Sequence, residues 1–201
     1  MLKKTKQVRA EKTRDGLLRA AIDVVGKVGY ENARIQDISD SAGVTPGAIL
    51  YHFRNLETLL MEAFRADFEG LMQVAIKPDF LASLAASEIV DRTFTMLDDK
   101  DFRTRIGVLA EFLIAGRNDS KRQKLVEEVM CANRDRMVVT FAKGLGRDID
   151  GDRLWQIIDI AVSLLIVDQL NYPNSAKSEC AYQNTKPFIE RELTHFLEGS
   201  R

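Results

Sequence analysis

Apolar residues recur every three or four positions along nearly the whole chain, and no segment shows a sustained two-residue alternation. This spacing places apolar side chains along one stripe of an α-helix, whereas a half-buried strand would alternate at every second residue. Five apolar residues of the segment 13–28 share such a stripe: Leu17, Leu18, Ala21, Ile22 and Val25. The chain is therefore predicted to be all-α, with about nine helices.

Capping and turn residues predict where these helices begin and end. The first four are predicted at about Thr13–Val28, Ile35–Ala42, Pro46–Phe53 and in a segment that Asn55 can cap. Five more are predicted at about Leu81–Leu97, Phe102–Arg117, Ser120–Leu145, Asp152–Leu170 and within Ser178–Leu197. In the last segment Pro187 can lie in the first turn of a helix that starts near Thr185 or kink a longer helix. The first position is favoured, because the missing N–H costs nothing there.

The first three helices are predicted to form a small domain, residues 1–54, and the remaining helices a larger body, residues 55–201. The small domain holds ten Lys and Arg residues against six Asp and Glu residues, although the whole chain has a net charge of −1. A basic segment on an acidic body indicates an anionic partner for the N-terminal domain alone.

Neither a membrane role nor catalysis is predicted. The longest strongly apolar stretch, Ile157 to Val167, is interrupted by Asp159 and Ser163 and is too short to span a bilayer. The basic start lacks the apolar run of a signal peptide, so we expect a soluble, cytoplasmic protein. His52, His195 and the two separate cysteines lack a partner set for chemistry, so no enzymatic activity, cofactor or metal site is expected.

The stretch VTPGAILYHF, residues 44–53, follows a short helix that Gly43 can end in a left-handed conformation. Two short helices joined in this way form a helix-turn-helix. Ile49 and Phe53 lie four residues apart and can pack into the core, which leaves small and polar residues facing away. The N-terminal end of such a helix can enter the major groove of DNA, although the same motif also occurs in proteins that do not bind DNA.

Residues 29–60, GYENARIQDISDSAGVTPGAILYHFRNLETLL, resemble the DNA-binding domain of the TetR family of bacterial transcriptional regulators. The resemblance runs from about Thr13 to Leu60 and rests on Ala42-Gly43-Val44, Pro46-Gly47 and Tyr51-His52-Phe53. Beyond residue 75 only length and helix count are similar. The resemblance implies a ligand-responsive regulator, and it favours a repressor. Such a regulator binds a palindromic operator as a homodimer and is released by a small-molecule effector.

The residues predicted to contact DNA lie at the start of the second helix, in the third helix and just after it. They are Arg34, Gln36, Thr45, Pro46, Gly47, Ala48, Tyr51, His52 and Arg54. Three positions depart from the family pattern: Arg34 replaces a capping Ser or Thr, Leu50 an aromatic residue, and Leu56 a lysine. The changes at Leu50 and Leu56 keep an alternative open, a helical small-molecule-binding or scaffold protein that has lost DNA binding.

In the family, bulky side chains of the body line an effector cavity, although such residues are also ordinary core. The candidates here are Phe64, Phe68, Phe94, Glu111, Phe112, Met137, Phe141, Trp155 and Asp159. Glu111 and Asp159 lie within apolar runs, where a buried carboxylate needs a partner. An arginine such as Arg117 or Arg134, the solvent, or a cationic or hydroxyl-bearing effector could satisfy them.

The segment Asp152–Leu170 is apolar nearly all round, so we expect it to be buried on two sides. One side can face the core of its own domain, and the other faces either more core or a partner. The resemblance implies that the last two helices pair with their copies as a four-helix bundle in a homodimer. The interface candidates are Ile158, Leu165, Ile189, Leu193 and Phe196.

Overall fold

The computed structural model describes residues 2–75, 82, 84–117, 119–171 and 181–199, and all regular structure in these ranges is helical. The helices are α1 Leu2–Val28, α2 Ile35–Ala42, α3 Pro46–Phe53, α4 Leu56–Ala75, α5 Ala86–Asp98, α6 Lys100–Gly116, α7 Ser120–Leu145, α8 Gly151–Asn171 and α9 Ala181–Glu198. The all-α prediction is confirmed. The predicted helix starts at Leu81 and near Ser178 lie outside the described residues. None of the described helices is both long and apolar enough to cross a membrane.

The chain forms two compact units, each built from two segments. The first unit contains residues 1–70 and 111–129, and the second contains residues 71–110 and 130–201. Because these boundaries fall inside α4, α6 and α7, each of the three helices contributes to both units. The functional boundary expected after residue 54 is a different division and stays a prediction.

The helix α1 begins at Leu2, well before the predicted start at Thr13. Its first turns are mostly charged and polar, so they lack the apolar stripe on which the prediction rested. Polar contacts join successive turns there: Gln7 Nε2 donates to Glu11 Oε1 at 3.3 Å. Residues such as Lys, Arg, Gln and Glu have high helix propensity, which sustains a helix without a buried face.

The turn between α2 and α3 has the predicted geometry. Gly43 ends α2 with φ 66° and ψ 34°, which is the left-handed region. Its N–H donates to Asp40 O at 3.2 Å, and the N–H of Val44 donates to Ser39 O at 3.0 Å. These bonds satisfy carbonyls at the end of α2, so the chain can turn sharply into α3.

The helix α3 buries one face and exposes the other. Ile49 is 0% exposed and Phe53 is 1% exposed, as the sequence predicts. Thr45 occupies the N-cap position with an extended backbone, but its hydroxyl makes no capping hydrogen bond. The two buried side chains fix the rotation of α3 about its axis, and they therefore determine which residues face outward.

In α9 the prediction for Pro187 is wrong. The helix begins at Ala181, so Pro187 lies inside it rather than in the first turn of a helix starting near Thr185. Ile189 and Leu193, on the later turns, are almost fully buried. Burial of that face outweighs the one backbone hydrogen bond that proline cannot donate.

Replacing Gly43 with Ala is expected to lower the free energy of unfolding by about 1 kcal/mol, because a Cβ disfavours the left-handed backbone. No heavy atom lies within 4 Å of the added Cβ, so the strain is confined to the backbone. Gly16→Ala is the matched control: it also meets open space, but it lies inside α1. It should raise the free energy of unfolding by about 1 kcal/mol. Urea denaturation measures both, and shifts of the same sign would contradict the left-handed turn.

Candidate nucleic-acid interface

The exposed side of α3 presents most of the residues predicted to contact DNA. Tyr51 is 82% exposed, and its ring meets the ring of half-buried His52 edge to face, with centroids 5.1 Å apart. The four residues at the helix start are small or rigid. Thr45, Pro46 and Gly47 are exposed, and Ala48 is half-buried. Low side-chain bulk at this end lets another surface approach the backbone closely.

Two apolar residues lie where the family resemblance leads one to expect an aromatic residue and a lysine. Leu50 is 52% exposed and directly precedes Tyr51 on α3. Leu56 is half-buried at the first position of α4. The two departures therefore differ, because Leu50 adds apolar area to the exposed surface whereas Leu56 contributes partly to packing.

Arg34 and Gln36 are exposed at the start of α2, and both form internal hydrogen bonds. Arg34 Nη1 donates to Glu31 O at 2.8 Å and to Ala33 O at 3.1 Å. Gln36 Nε2 donates to Asp40 Oδ1 at 2.8 Å. Contact with DNA through these donors would replace an existing hydrogen bond, which lowers the net gain in free energy.

Arg54 connects α3 to α4 through a tight turn, and its side chain is exposed. Its backbone has φ 63° and ψ −47°, and the N–H of Asn55 donates to Phe53 O at 2.7 Å across it. This is a γ-turn, which is strained for a residue other than glycine. Asn55 Oδ1 then accepts the N–H of Thr58 at 2.8 Å and caps α4, as predicted.

The nine predicted effector-pocket residues do not share one compact unit. The first unit contains Phe64, Phe68, Glu111 and Phe112, and the second contains Phe94, Met137, Phe141, Trp155 and Asp159. In the first unit, Phe64 stacks on Phe112 with centroids 4.6 Å apart and on Phe68 at 5.7 Å. Close stacking of this kind is ordinary core packing. The four first-unit residues therefore lie in the same compact unit as the helix-turn-helix.

In the second unit, Phe94, Met137 and Phe141 are buried, whereas Asp159 is exposed. Asp159 therefore keeps its carboxylate in solvent, which was one of the alternatives the sequence left open. Trp155 is half-buried beneath the Arg134 guanidinium, whose Cζ lies 6.0 Å from the ring centroid. Within the described residues, no group of three or more His, Cys, Asp or Glu is placed to hold a metal ion.

Glu111 has a partner that sequence reasoning missed. Its Oε2 accepts the backbone N–H of Tyr30 at 2.9 Å, although the two residues are 81 positions apart. Arg134, one of the partners considered from the sequence, pairs with Asp152. The half-buried carboxylate of Glu111 thus holds the loop between α1 and α2, and its part in an effector pocket stays a prediction.

Arg122, in the first turn of α7, is a second residue that the sequence did not single out. Its Cζ lies 5.2 Å from the centroid of the Tyr30 ring. Its Nη1 lies 3.4 Å from Glu31 Oε1, and its Nε lies 3.3 Å from Glu57 Oε1. Asp119 caps α7, and the hydrogen bond from the N–H of Arg122 lowers the pKa of that carboxyl. One guanidinium therefore contacts both the loop before α2 and the first turn of α4.

Four of the five predicted dimer-interface residues are almost fully buried within their own chain: Leu165, Ile189, Leu193 and Phe196. The fifth, Ile158, is half-buried. These side chains already have apolar surroundings, largely where α8 and α9 pack together. Among the described side chains of α8 and α9, the large exposed apolar ones are Ile160, Val167, Leu170 and Phe188. This second set offers apolar area to a partner surface, and the predicted interface set stays a prediction.

Burial raises the pKa of Tyr30 above its ordinary value of 10.0, and the nearby Glu57, Glu31 and Asp119 act in the same direction, whereas Arg122 opposes them. The unfolded chain therefore releases this proton first as the pH rises. Tyr30 stabilises the fold fully below pH 10.0, and this contribution is lost at higher pH. Urea denaturation between pH 8 and 11 should show the wild type losing stability relative to Tyr30→Phe above about pH 10. A constant difference would contradict this.

The family model for bacterial regulatory proteins of the tetR family matches residues 17–63, which include all of α2 and α3. An HTH-type transcriptional regulator of Mycobacterium tuberculosis is 32% identical over 132 residues, which are 63% of this chain and 65% of that protein. The HTH-type transcriptional regulator CymR of Pseudomonas putida is 27% identical over 177 residues, 82% of this chain and 83% of CymR. The chain thus spans about two thirds of the length of the mycobacterial relative.

Among solved structures, a transcriptional regulator from Saccharomonospora viridis in complex with choline has a TM-score of 0.67. The match covers 90% of this chain and 96% of that one, at 22% sequence identity, and it establishes a common fold. The helix-turn-helix, the matched segment and the shared fold agree with one another. Residues 17–63 therefore form a domain of the tetR family of bacterial regulatory proteins.

Proposed function

We propose that this chain is a transcriptional regulator, and specifically a repressor, that binds a palindromic operator as a homodimer and is released by a small-molecule effector. The main support is the orientation of α3. Ile49 and Phe53 are buried, while Tyr51, on the opposite side, is 82% exposed. A short helix held by one face and exposed at its start has the form of a recognition helix in a major groove.

The chemistry of this surface favours contacts to phosphate and to thymine over extensive hydrogen bonding to bases. Tyr51 and His52 can donate to phosphate oxygens, and the N-terminus of α3 adds a partial positive charge. Ala48 and Leu50 can contact a thymine methyl group, and Thr45 can bond to a base edge. Specificity would then depend partly on the shape of the DNA.

Dimer formation and effector release rest on two further observations. Ile160, Val167 and Phe188 expose apolar area on α8 and α9, which suits a two-fold interface. A two-fold dimer would place two copies of α3 one helical turn of DNA apart. The Saccharomonospora viridis regulator binds choline, which supports a small-molecule site in the same fold. An effector would change DNA affinity if it bound the DNA-competent state and the alternative state unequally.

Operator selection tests this proposal. Purified protein incubated with random duplex DNA at moderate salt should enrich a palindromic sequence. Changing Tyr51 or His52 to Ala should weaken binding to that sequence by about tenfold, because each loses a DNA contact.

Val139→Ala is the control, since Val139 is 66% exposed on α7 and is outside the predicted interface. It should bind like the wild type. A folded protein that enriches no sequence at any salt concentration would contradict the proposal. That result would favour the alternative, a helical binding protein without DNA affinity, for which the exposed Leu50 is the supporting observation.

Salt dependence tests the contribution of Arg34. The logarithm of operator affinity should fall linearly with the logarithm of salt concentration, because each neutralised phosphate releases counterions. Arg34→Gln should reduce the steepness of that line by about 1. Lys124→Gln removes the same charge from an exposed position of α7 and should leave the slope unchanged. Fluorescence anisotropy with labelled operator measures both variants. An unchanged slope for Arg34→Gln would show that Arg34 does not contact a phosphate.

A further inference from the structure

The loop between α1 and α2 is held by side chains from a distant part of the chain, and all of these residues lie in the first compact unit. Glu111 Oε2 accepts the N–H of Tyr30 at 2.9 Å. Phe112 packs edge to face on the Tyr30 ring, with centroids 5.2 Å apart. A backbone amide and an aromatic ring of the same loop residue are thus fixed by two successive residues of α6.

Gly29 makes this contact possible. Its φ of 81° is in the left-handed region, and a Cβ added there would lie 2.9 Å from Glu111 Oε2. The absence of a side chain at this position therefore lets the carboxylate reach the amide of the next residue. The loop conformation and the Glu111 contact depend on each other.

Arg122 adds a second connection, which reaches both ends of the helix-turn-helix. It contacts Glu31, which lies just before α2, and Glu57, which lies in the first turn after α3. The side chain of Arg122 is 25% exposed, whereas that of Glu31 is 73% and that of Glu57 is 44% exposed, so solvent screens the Glu57 pair less than the Glu31 pair. Because α2 and α3 lie between Glu31 and Glu57, a shift of Arg122 would act on both flanks of the motif at once.

The geometry points to Glu111 and Arg122 as positioning residues that set DNA affinity without contacting DNA. They hold the flanks of α2 and α3, so the recognition helix is pre-organised before it meets the operator. Both belong to helices, α6 and α7, that extend into the second compact unit. They therefore provide a covalently continuous route by which changes elsewhere in the chain could alter DNA affinity. This inference rests on the proposed function.

Operator binding by charge-removing variants tests the assignment. Glu111→Ala and Arg122→Ala should each bind the selected operator about tenfold more weakly, within the usual range of coupling between sites. Their salt slopes should equal that of the wild type, because no phosphate contact is lost. Glu111→Gln retains an acceptor oxygen for the Tyr30 amide and should restore binding to within about threefold of the wild type. Arg122→Lys should restore it partly, since lysine keeps the charge but cannot bridge two carboxylates with a planar fork.

Lys121→Ala and Glu128→Ala are matched controls, since they remove the same charges from exposed positions in the first compact unit. Both should bind like the wild type. Hydrogen exchange gives a local readout that does not need DNA: the Tyr30 amide should exchange about tenfold faster in Glu111→Ala, but not in Glu111→Gln. Circular dichroism and thermal unfolding check that every variant is folded.

When the wild type does enrich an operator, three outcomes would overturn the assignment. Wild-type affinity in both Ala variants would show that Glu111 and Arg122 do not set operator affinity. A reduced salt slope in Arg122→Ala would make Arg122 a direct phosphate contact. An unchanged Tyr30 exchange rate in Glu111→Ala would contradict the hydrogen bond. If the wild type itself enriches no operator, the proposed function fails, and this assignment fails with it.

Discussion

Burial of Ile49 and Phe53 is the constraint on which the presentation of α3 depends. An eight-residue helix is too short to be stable alone, so tertiary packing determines both its existence and its orientation. The Arg14 guanidinium of α1 covers the Phe53 ring at 5.1 Å from its centroid and also pairs with Glu62 of α4. One side chain of α1 therefore contacts both α3 and α4.

The contacts around α2 and α3 offer a physical basis for the proposed regulation of DNA binding. The loop before α2 and the first turn of α4 both contact Arg122, and Glu111 fixes the loop amide of Tyr30. These contacts come from α6 and α7, so two further helices can bias the helix-turn-helix. An effector would still have to bind two arrangements of these helices with different affinity.

Local sequence signals predicted the parts of the fold that local chemistry determines. The left-handed Gly43, the cap at Asn55 and the bounds of α2 and α3 follow from residues within a few positions of each other. Helical periodicity could not give the partner of Glu111, because that partner is 81 positions away. The early start of α1 was missed because charged turns have propensity but no apolar stripe.

At the candidate site, the sequence predicted which side chains of α3 are buried and which are exposed. Exposure of Tyr51 and burial of Phe53 follow from helical spacing, and the structure confirms both. The surroundings of the predicted effector and interface residues could not be predicted from helical spacing. Leu165 and Phe196 are buried in their own chain, because an apolar residue in a sequence carries no mark of which surface will cover it. Composition and spacing predict that such residues are buried, but only three-dimensional packing decides the partner.

In the proposed complex, the exposed end of α3 lies in the major groove of DNA. Dimethyl sulfate protection on the selected operator tests it directly, because this reagent methylates guanine N7 in the major groove and adenine N3 in the minor groove. We expect protected guanines in two half-sites about 10 base pairs apart, with the adenines between them still reactive. Protection of adenines alone, or of a single half-site, would contradict a symmetric dimer that reads the major groove through α3.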